Sequence, residues 1–120
     1  MSQPRTILII DDDQYVREML QDFLLAKGFN VLLAEDGLKG MSIIENKDVD
    51  LIILEIRLPY VSGIGLTQIA KKLKPDTPII CMTDLGLEDK TIAEQEKADE
   101  IFTKPFDLKK MLLAINSMLK

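Results

Sequence analysis

At 120 residues the chain has the length of one domain, 1–120, and can bury a core without disulfides or a structural metal. Its 15 Lys and Arg against 20 Asp and Glu give a net charge of −5, which argues against nucleic acid or an anionic membrane as a direct partner. Histidine is absent and Cys81 is the single cysteine, which excludes a Ser-His-Asp mechanism, histidine metal ligands, a phosphohistidine on this chain and an internal disulfide. The apolar runs are too short to span a bilayer and the N-terminus lacks a signal-peptide core, so a soluble, cytoplasmic domain is expected.

Ile7-Leu8-Ile9-Ile10 is a continuous apolar run, as in a strand buried on both faces, and Asp11-Asp12-Asp13 ends it. Val16, Met19, Leu20, Phe23 and Leu24 then fall at helical spacing, with Asp13 as N-cap and Lys27-Gly28 as the stop. Val31-Leu32-Leu33 reads as a short strand, and Asp36 caps a helix carrying Leu38, Met41 and Ile44, weakened by Gly40 at its centre. Leu51-Ile52-Ile53-Leu54 is the third strand, ending on Glu55; Pro59 and Gly63 punctuate the loop behind it. The next helix places Leu66, Ile69, Ala70 and Leu73 on one stripe and stops at Lys74-Pro75.

Ile79-Ile80-Cys81-Met82 is the fourth strand, followed by Thr83-Asp84, and the apolar neighbours of Cys81 imply an inert buried thiol. The stretch Leu87 to Ala98 is helical mainly by composition, with little apolar surface to anchor it. Ile101-Phe102 is a short last strand before Thr103-Lys104-Pro105-Phe106, and the final helix carries Leu108, Met111, Leu112, Ile115 and Leu119. Strands alternate with helices throughout. The fold class is therefore α/β, a doubly wound five-stranded parallel sheet with helices on both faces.

In such sheets ligands bind outside the carboxyl ends of the strands. Those ends carry Asp11 and Asp12, Glu55, Thr83 and Lys104. Two carboxylates about 4 Å apart repel by about 4 kcal/mol at an effective dielectric of 20, and so invite a cation. Oxygen-only ligation favours Mg²⁺, while a hydroxyl and a lysine suit the oxygens of a phosphoryl group. Singly, an acid after a strand is often only a helix cap, a threonine only a turn hydroxyl and a lysine only a solvated charge. Their coincidence at successive strand ends is what points to one site.

The residues that carry a resemblance are Asp11-Asp12, Leu58-Pro59 and Gly63, Thr83, and Lys104-Pro105-Phe106, in this order and spacing. Along its whole length the sequence resembles the receiver domain of a two-component response regulator. The resemblance implies a strand order of 2-1-3-4-5. It also implies that Mg²⁺ is held by Asp11, Asp12, the residue at position 55 and the backbone carbonyl of Arg57, and that Thr83 and Lys104 read the phosphoryl group. The family takes that group on an aspartate at the end of the third strand, where this chain has Glu55. Asp84 stands where a small residue is usual, Ile101 where an aromatic switches rotamer, and Lys97 where glycine is common.

A longer carboxylate with a charge of −1 imitates only part of a phosphoryl group, which carries about −1.5 to −2. The expectation is therefore a pseudo-receiver of a phosphorelay that signals without phosphorylation and is not an enzyme. Its Mg²⁺ site would be weak, with Lys104 competing for Glu55. Protein partners, such as a sensor histidine kinase or an output domain, would dock on the face of the fourth predicted helix, the fifth strand and the final helix. An aspartate-nucleophile phosphohydrolase is the alternative, from Asp11-x-Asp13, but the acidic pair due after the lysine is reduced to Asp107. A nucleotide-binding domain of the same topology fails on charge, since three aspartates stand where a phosphate cradle needs glycines.

Overall fold

The computed structural model describes residues 3–84, 91 and 97–120. In chain order the elements are β1 (Thr6–Ile10), α1 (Gln14–Ala26), β2 (Asn30–Ala34), α2 (Gly37–Asn46), β3 (Leu51–Glu55), α3 (Gly63–Leu73), β4 (Ile79–Thr83), β5 (Glu100–Thr103) and α4 (Leu108–Met118). The five strands pair in parallel in the order β2-β1-β3-β4-β5, as expected. Most of the predicted helix from Leu87 to Ala98, and with it part of the expected docking face, lies outside the described residues.

Strand alternation sorts the core into two halves. Leu8, Ile10, Ile52, Leu54, Ile79 and Cys81 pack with Ile44 of α2 and with Leu66 and Ala70 of α3. Ile7, Ile9, Leu51, Ile53, Ile80 and Met82 pack with Val16, Leu20 and Leu24 of α1 and with Met111 and Ile115 of α4. Each of these side chains is buried, and each large aliphatic one contributes about 1.5–3 kcal/mol relative to its exposed state. That central strands β1 and β3 are buried along nearly their whole length explains why they read as unbroken apolar runs.

The caps follow the sequence. Asp13 accepts from the Tyr15 N–H at 2.9 Å, and Asp36 from the Lys39 N–H at 2.9 Å. Gly28 follows α1 at φ +91°, a backbone conformation that glycine adopts freely. Two helical stripes differ from expectation. In α2, Leu38 is exposed and Gly40 is buried, because α2 lies so close to the sheet that a Cβ at Gly40 would meet Ile10 Cδ1 at 2.7 Å. Gly40 is a packing requirement rather than a weakness. In α3, Leu73 is exposed and Thr67 is buried in its stead, its hydroxyl donating to the Gly63 carbonyl at 2.8 Å. A satisfied hydroxyl costs little to bury.

Candidate functional site

The period of two that sorts the core also aims the site. Ile7 and Ile9 of β1, Leu51 and Ile53 of β3, and Phe102 of β5 face α1 and α4. Asp11, Glu55 and Lys104 are the next residues of the same alternation, so three strand ends deliver three charges to one side of the sheet. Asp12, one residue out of phase, is exposed.

Lys104 joins the other two. Its Nζ lies 2.8 Å from Asp11 Oδ2 and 2.6 Å from Glu55 Oε1. The Asp11 side chain is fully buried and that of Glu55 is 6% exposed, so water screens neither contact well. The second oxygens are engaged as well: Asp11 Oδ1 accepts from the Asp13 N–H at 2.9 Å, and Glu55 Oε2 from the Arg57 N–H at 3.3 Å. One ammonium serves two carboxylates. Burial pushes both carboxyl groups above their usual range, against the opposing pull of Lys104. Burial alone would lower the Lys104 ammonium, but its hydrogen bonds to Asp11 and Glu55 outweigh that and hold it above its usual value.

Gly63 makes the corner behind Glu55 feasible. A Cβ there would collide with the Glu55 carbonyl oxygen and sit 2.6 Å from the Ile56 Cα, while the Gly63 N–H donates to the Ile56 carbonyl at 2.8 Å. The β3–α3 loop can therefore fold back on the strand end, carrying Tyr60 at φ +69°. Thr83 is buried, and its backbone carbonyl accepts from the Lys104 N–H at 2.7 Å. Asp84 is exposed. Ile101 is half-buried against the α2–α3 half of the core, and Lys97 takes φ +68°, where glycine would be unstrained.

Arg17 escaped the sequence reading. Its Nη1 donates to the Asp11 backbone carbonyl at 2.7 Å, reaching back from the first turn of α1. No sequence signal marks it, because its partner is a backbone carbonyl. With the Asp11 N–H donating to the Ala34 carbonyl at 3.1 Å, every polar atom of Asp11 is hydrogen-bonded.

The donors are all hard oxygens, which is the chemistry of a Mg²⁺ site. Their arrangement serves a different cation. Lys104 stands between Asp11 and Glu55, and among the described residues no three acid, cysteine or histidine side chains are grouped closely enough to hold a metal ion.

A parallel sheet in the order 2-1-3-4-5, with acids after the first and third strands and a lysine after the fifth, defines a doubly wound α/β domain whose site lies at the strand ends. Residues 7–116 match the family model of the response regulator receiver domain, and the chain belongs to that family. Among curated relatives it is 37% identical over 119 residues to the phosphate regulon transcriptional regulatory protein PhoB of Pseudomonas aeruginosa, covering 97% of this chain and 52% of the relative. It is 35% identical over 117 residues to the DNA-binding dual master transcriptional regulator RpaA of Synechocystis, covering 95% of this chain and 48% of the relative. The chain thus spans about half the length of these relatives. Among solved structures it is similar to a CheY-like receiver domain protein from Methanospirillum hungatei, with TM-score 0.93, 30% identity, and 98% and 94% of the two chains covered. The chain is a receiver domain of the two-component type, and no helix among the described residues is long and apolar enough to cross a membrane.

Proposed function

We propose that this chain is a pseudo-receiver: a signalling module that acts through protein–protein docking, without phosphoryl transfer and without catalysis of its own. The observation that carries the reading is the 2.6 Å contact between Glu55 Oε1 and Lys104 Nζ. Glu55 ends β3, the position at which the resemblance places the family's acceptor aspartate. Its extra methylene extends the carboxylate by about 1.5 Å, toward the space an aspartyl phosphate would need. Lys104, the residue that would read a phosphoryl oxygen, is already engaged by that carboxylate. Covalent attachment to Glu55 would have to break this contact and leave Asp11 and a phosphoryl dianion sharing one ammonium.

Mg²⁺ in this reading is a weak ligand. Asp11, Asp12, Glu55 and the Arg57 carbonyl are the donors it would use, and it would supply charge neutralisation at the strand ends when bound. For Asp11 and Glu55 to serve it, Lys104 must release them. The partners are proteins, a sensor histidine kinase or an output region of the kind carried by the longer relatives, and the location is the cytoplasm.

The test pairs the protein with its Glu55→Asp variant. With acetyl phosphate and Mg²⁺ the unaltered protein should show no phosphorylated species by intact mass, whereas Glu55→Asp should bind beryllofluoride and shift the amide resonances of Thr83 and Lys104. A stable adduct mapping to Glu55 would overturn the proposal. Asp84, exposed at the end of β4, should not block the variant, because solvent screens a charge that faces water.

A further inference from the structure

Beside the charged cluster, α1 and the segment after β5 enclose a cavity of about 460 Å³. Its walls are apolar: Tyr15, Val16 and Met19 from α1 face Phe106 and Pro105, with Lys104 and Asp84 as the charged residues at its border. The volume is that of a small-molecule site. Part of the wall is pre-formed, since Phe106 packs edge-to-face on Phe102, with ring centroids 6.1 Å apart and planes at 63°. Tyr15, by contrast, is 73% exposed, a large aromatic surface left open to solvent at the mouth.

Charge decides which ligand fits. Among the described residues Lys104 is the one base in the lining, and its ammonium already serves Asp11 and Glu55 at 2.8 and 2.6 Å, so it offers an incoming anion little. Arg17 is engaged with the Asp11 carbonyl. Of the two charged residues in the lining, Lys104 is thus engaged by carboxylates outside it, which leaves the exposed Asp84 carboxylate to set the sign of charge the cavity prefers. The aromatic walls suit a flat apolar body by ring–ring contact.

We propose that this cavity binds a small organic monocation with a flat apolar body, of the arylalkylammonium class, its ring between Tyr15 and Phe106 and its ammonium toward Asp84. The cavity borders the strand-end cluster through Lys104, but its ligand does not depend on whether Glu55 can be phosphorylated. Each aromatic pairing of the ligand ring with Tyr15 or Phe106 multiplies affinity by roughly two- to tenfold, and the exposed ion pair with Asp84 by roughly two- to fivefold.

The experiment is an amide NMR titration of the protein with phenethylammonium, its neutral counterpart 2-phenylethanol and its anionic counterpart 3-phenylpropionate. Phenethylammonium should give saturable shifts confined to Tyr15, Val16, Met19, Asp84 and Phe106. The alcohol should bind severalfold more weakly and the carboxylate not at all. Asp84→Asn should weaken the ammonium by roughly threefold without changing the alcohol. Met19→Trp, which fills the cavity, should abolish both, with the remaining spectrum showing that the fold is intact. Equal binding of all three compounds, or no shift with the ammonium at tens of millimolar, overturns the proposal. So do shifts at these residues that depend on protein concentration without ligand, which would assign the cavity to a second copy of this chain.

Discussion

Replacing Lys104 by methionine keeps an aliphatic stem of similar reach and removes the one cation that Asp11 and Glu55 share. The two carboxylate oxygens contact the same nitrogen at 2.8 and 2.6 Å, so they stand close together, and at about 5 Å with an effective dielectric of 20 two such charges repel by about 3 kcal/mol. Breaking a buried pair by removing one partner costs about 3–5 kcal/mol, and the exposures of 18% for Lys104, 6% for Glu55 and 0% for Asp11 place this cluster in that class. Domains of this size have about 5–15 kcal/mol in total, so the variant should fold but unfold at much lower urea.

The pH dependence gives the sharper check. Both carboxyl groups sit above their usual range in the folded protein, and more so once the ammonium is gone. A group whose pKa is raised on folding stabilises the protein below its unfolded value, and that contribution is lost as pH rises through the folded value. The deficit of Lys104→Met should therefore be largest at pH 7–8 and shrink as pH falls toward the ordinary carboxylate range. Lys104 itself, also raised, stabilises the unaltered protein through neutral pH and ceases to do so only as the alkaline range passes its own folded value. Urea unfolding followed by circular dichroism, with EDTA present, would measure the difference between the two proteins at each pH. A deficit that does not change between pH 8 and pH 4.5 would refute the electrostatic reasoning and leave only lost packing.

Three further outcomes follow from the same geometry. Glu55→Gln removes the surplus charge while leaving Lys104 paired with Asp11, and should match or exceed the unaltered protein in stability at pH 7, within about 1 kcal/mol, by the same urea assay. Mg²⁺, titrated calorimetrically, should bind Lys104→Met more tightly than the unaltered protein; equal affinities would mean that Lys104 does not compete for the acids. Cys81, fully buried and with its thiol pushed up by burial to about 11, should stay silent to a thiol reagent at pH 8 and react only in urea.

Much of this was readable before the structure. The apolar runs at Ile7–Ile10, Leu51–Leu54 and Ile79–Met82 marked strands covered on both faces, since only such a strand can leave out polar residues, while their order came from the resemblance. Strand ends placed Asp11, Glu55 and Lys104 around one crevice, and the Asp13 and Asp36 caps followed from side-chain chemistry next to a helix start. The misses concern tertiary distance. How near α2 approaches β1 is set by the absence of a Cβ at Gly40, and helical periodicity alone assigns that glycine a cost. The burial of Thr67 depends on a hydrogen bond within its own helix turn, which makes a polar residue behave as a core one. Arg17 was invisible for a related reason: its partner is a backbone carbonyl, which sequence does not mark.

Lys104 gives the site its logic. Its backbone N–H bonds to β4 through the Thr83 carbonyl at 2.7 Å, while its ammonium bonds to the residue after β1 and to the last residue of β3. A single residue following β5 thus ties together the ends of the other three strands that face the site. The tie to β3 depends on side-chain length: an aspartate at position 55 would withdraw its carboxylate by about 1.5 Å, beyond hydrogen-bond reach of an ammonium left in place. Lys104 would then have to follow, or a metal or phosphoryl group would have to fill the gap. Glu55 closes that gap from within the chain, and on the proposed reading the β4 and β5 ends then need no added ligand to hold their positions. On the proposed reading, regulation of this module must then come from whatever displaces Lys104 or docks beside it, rather than from chemistry at Glu55.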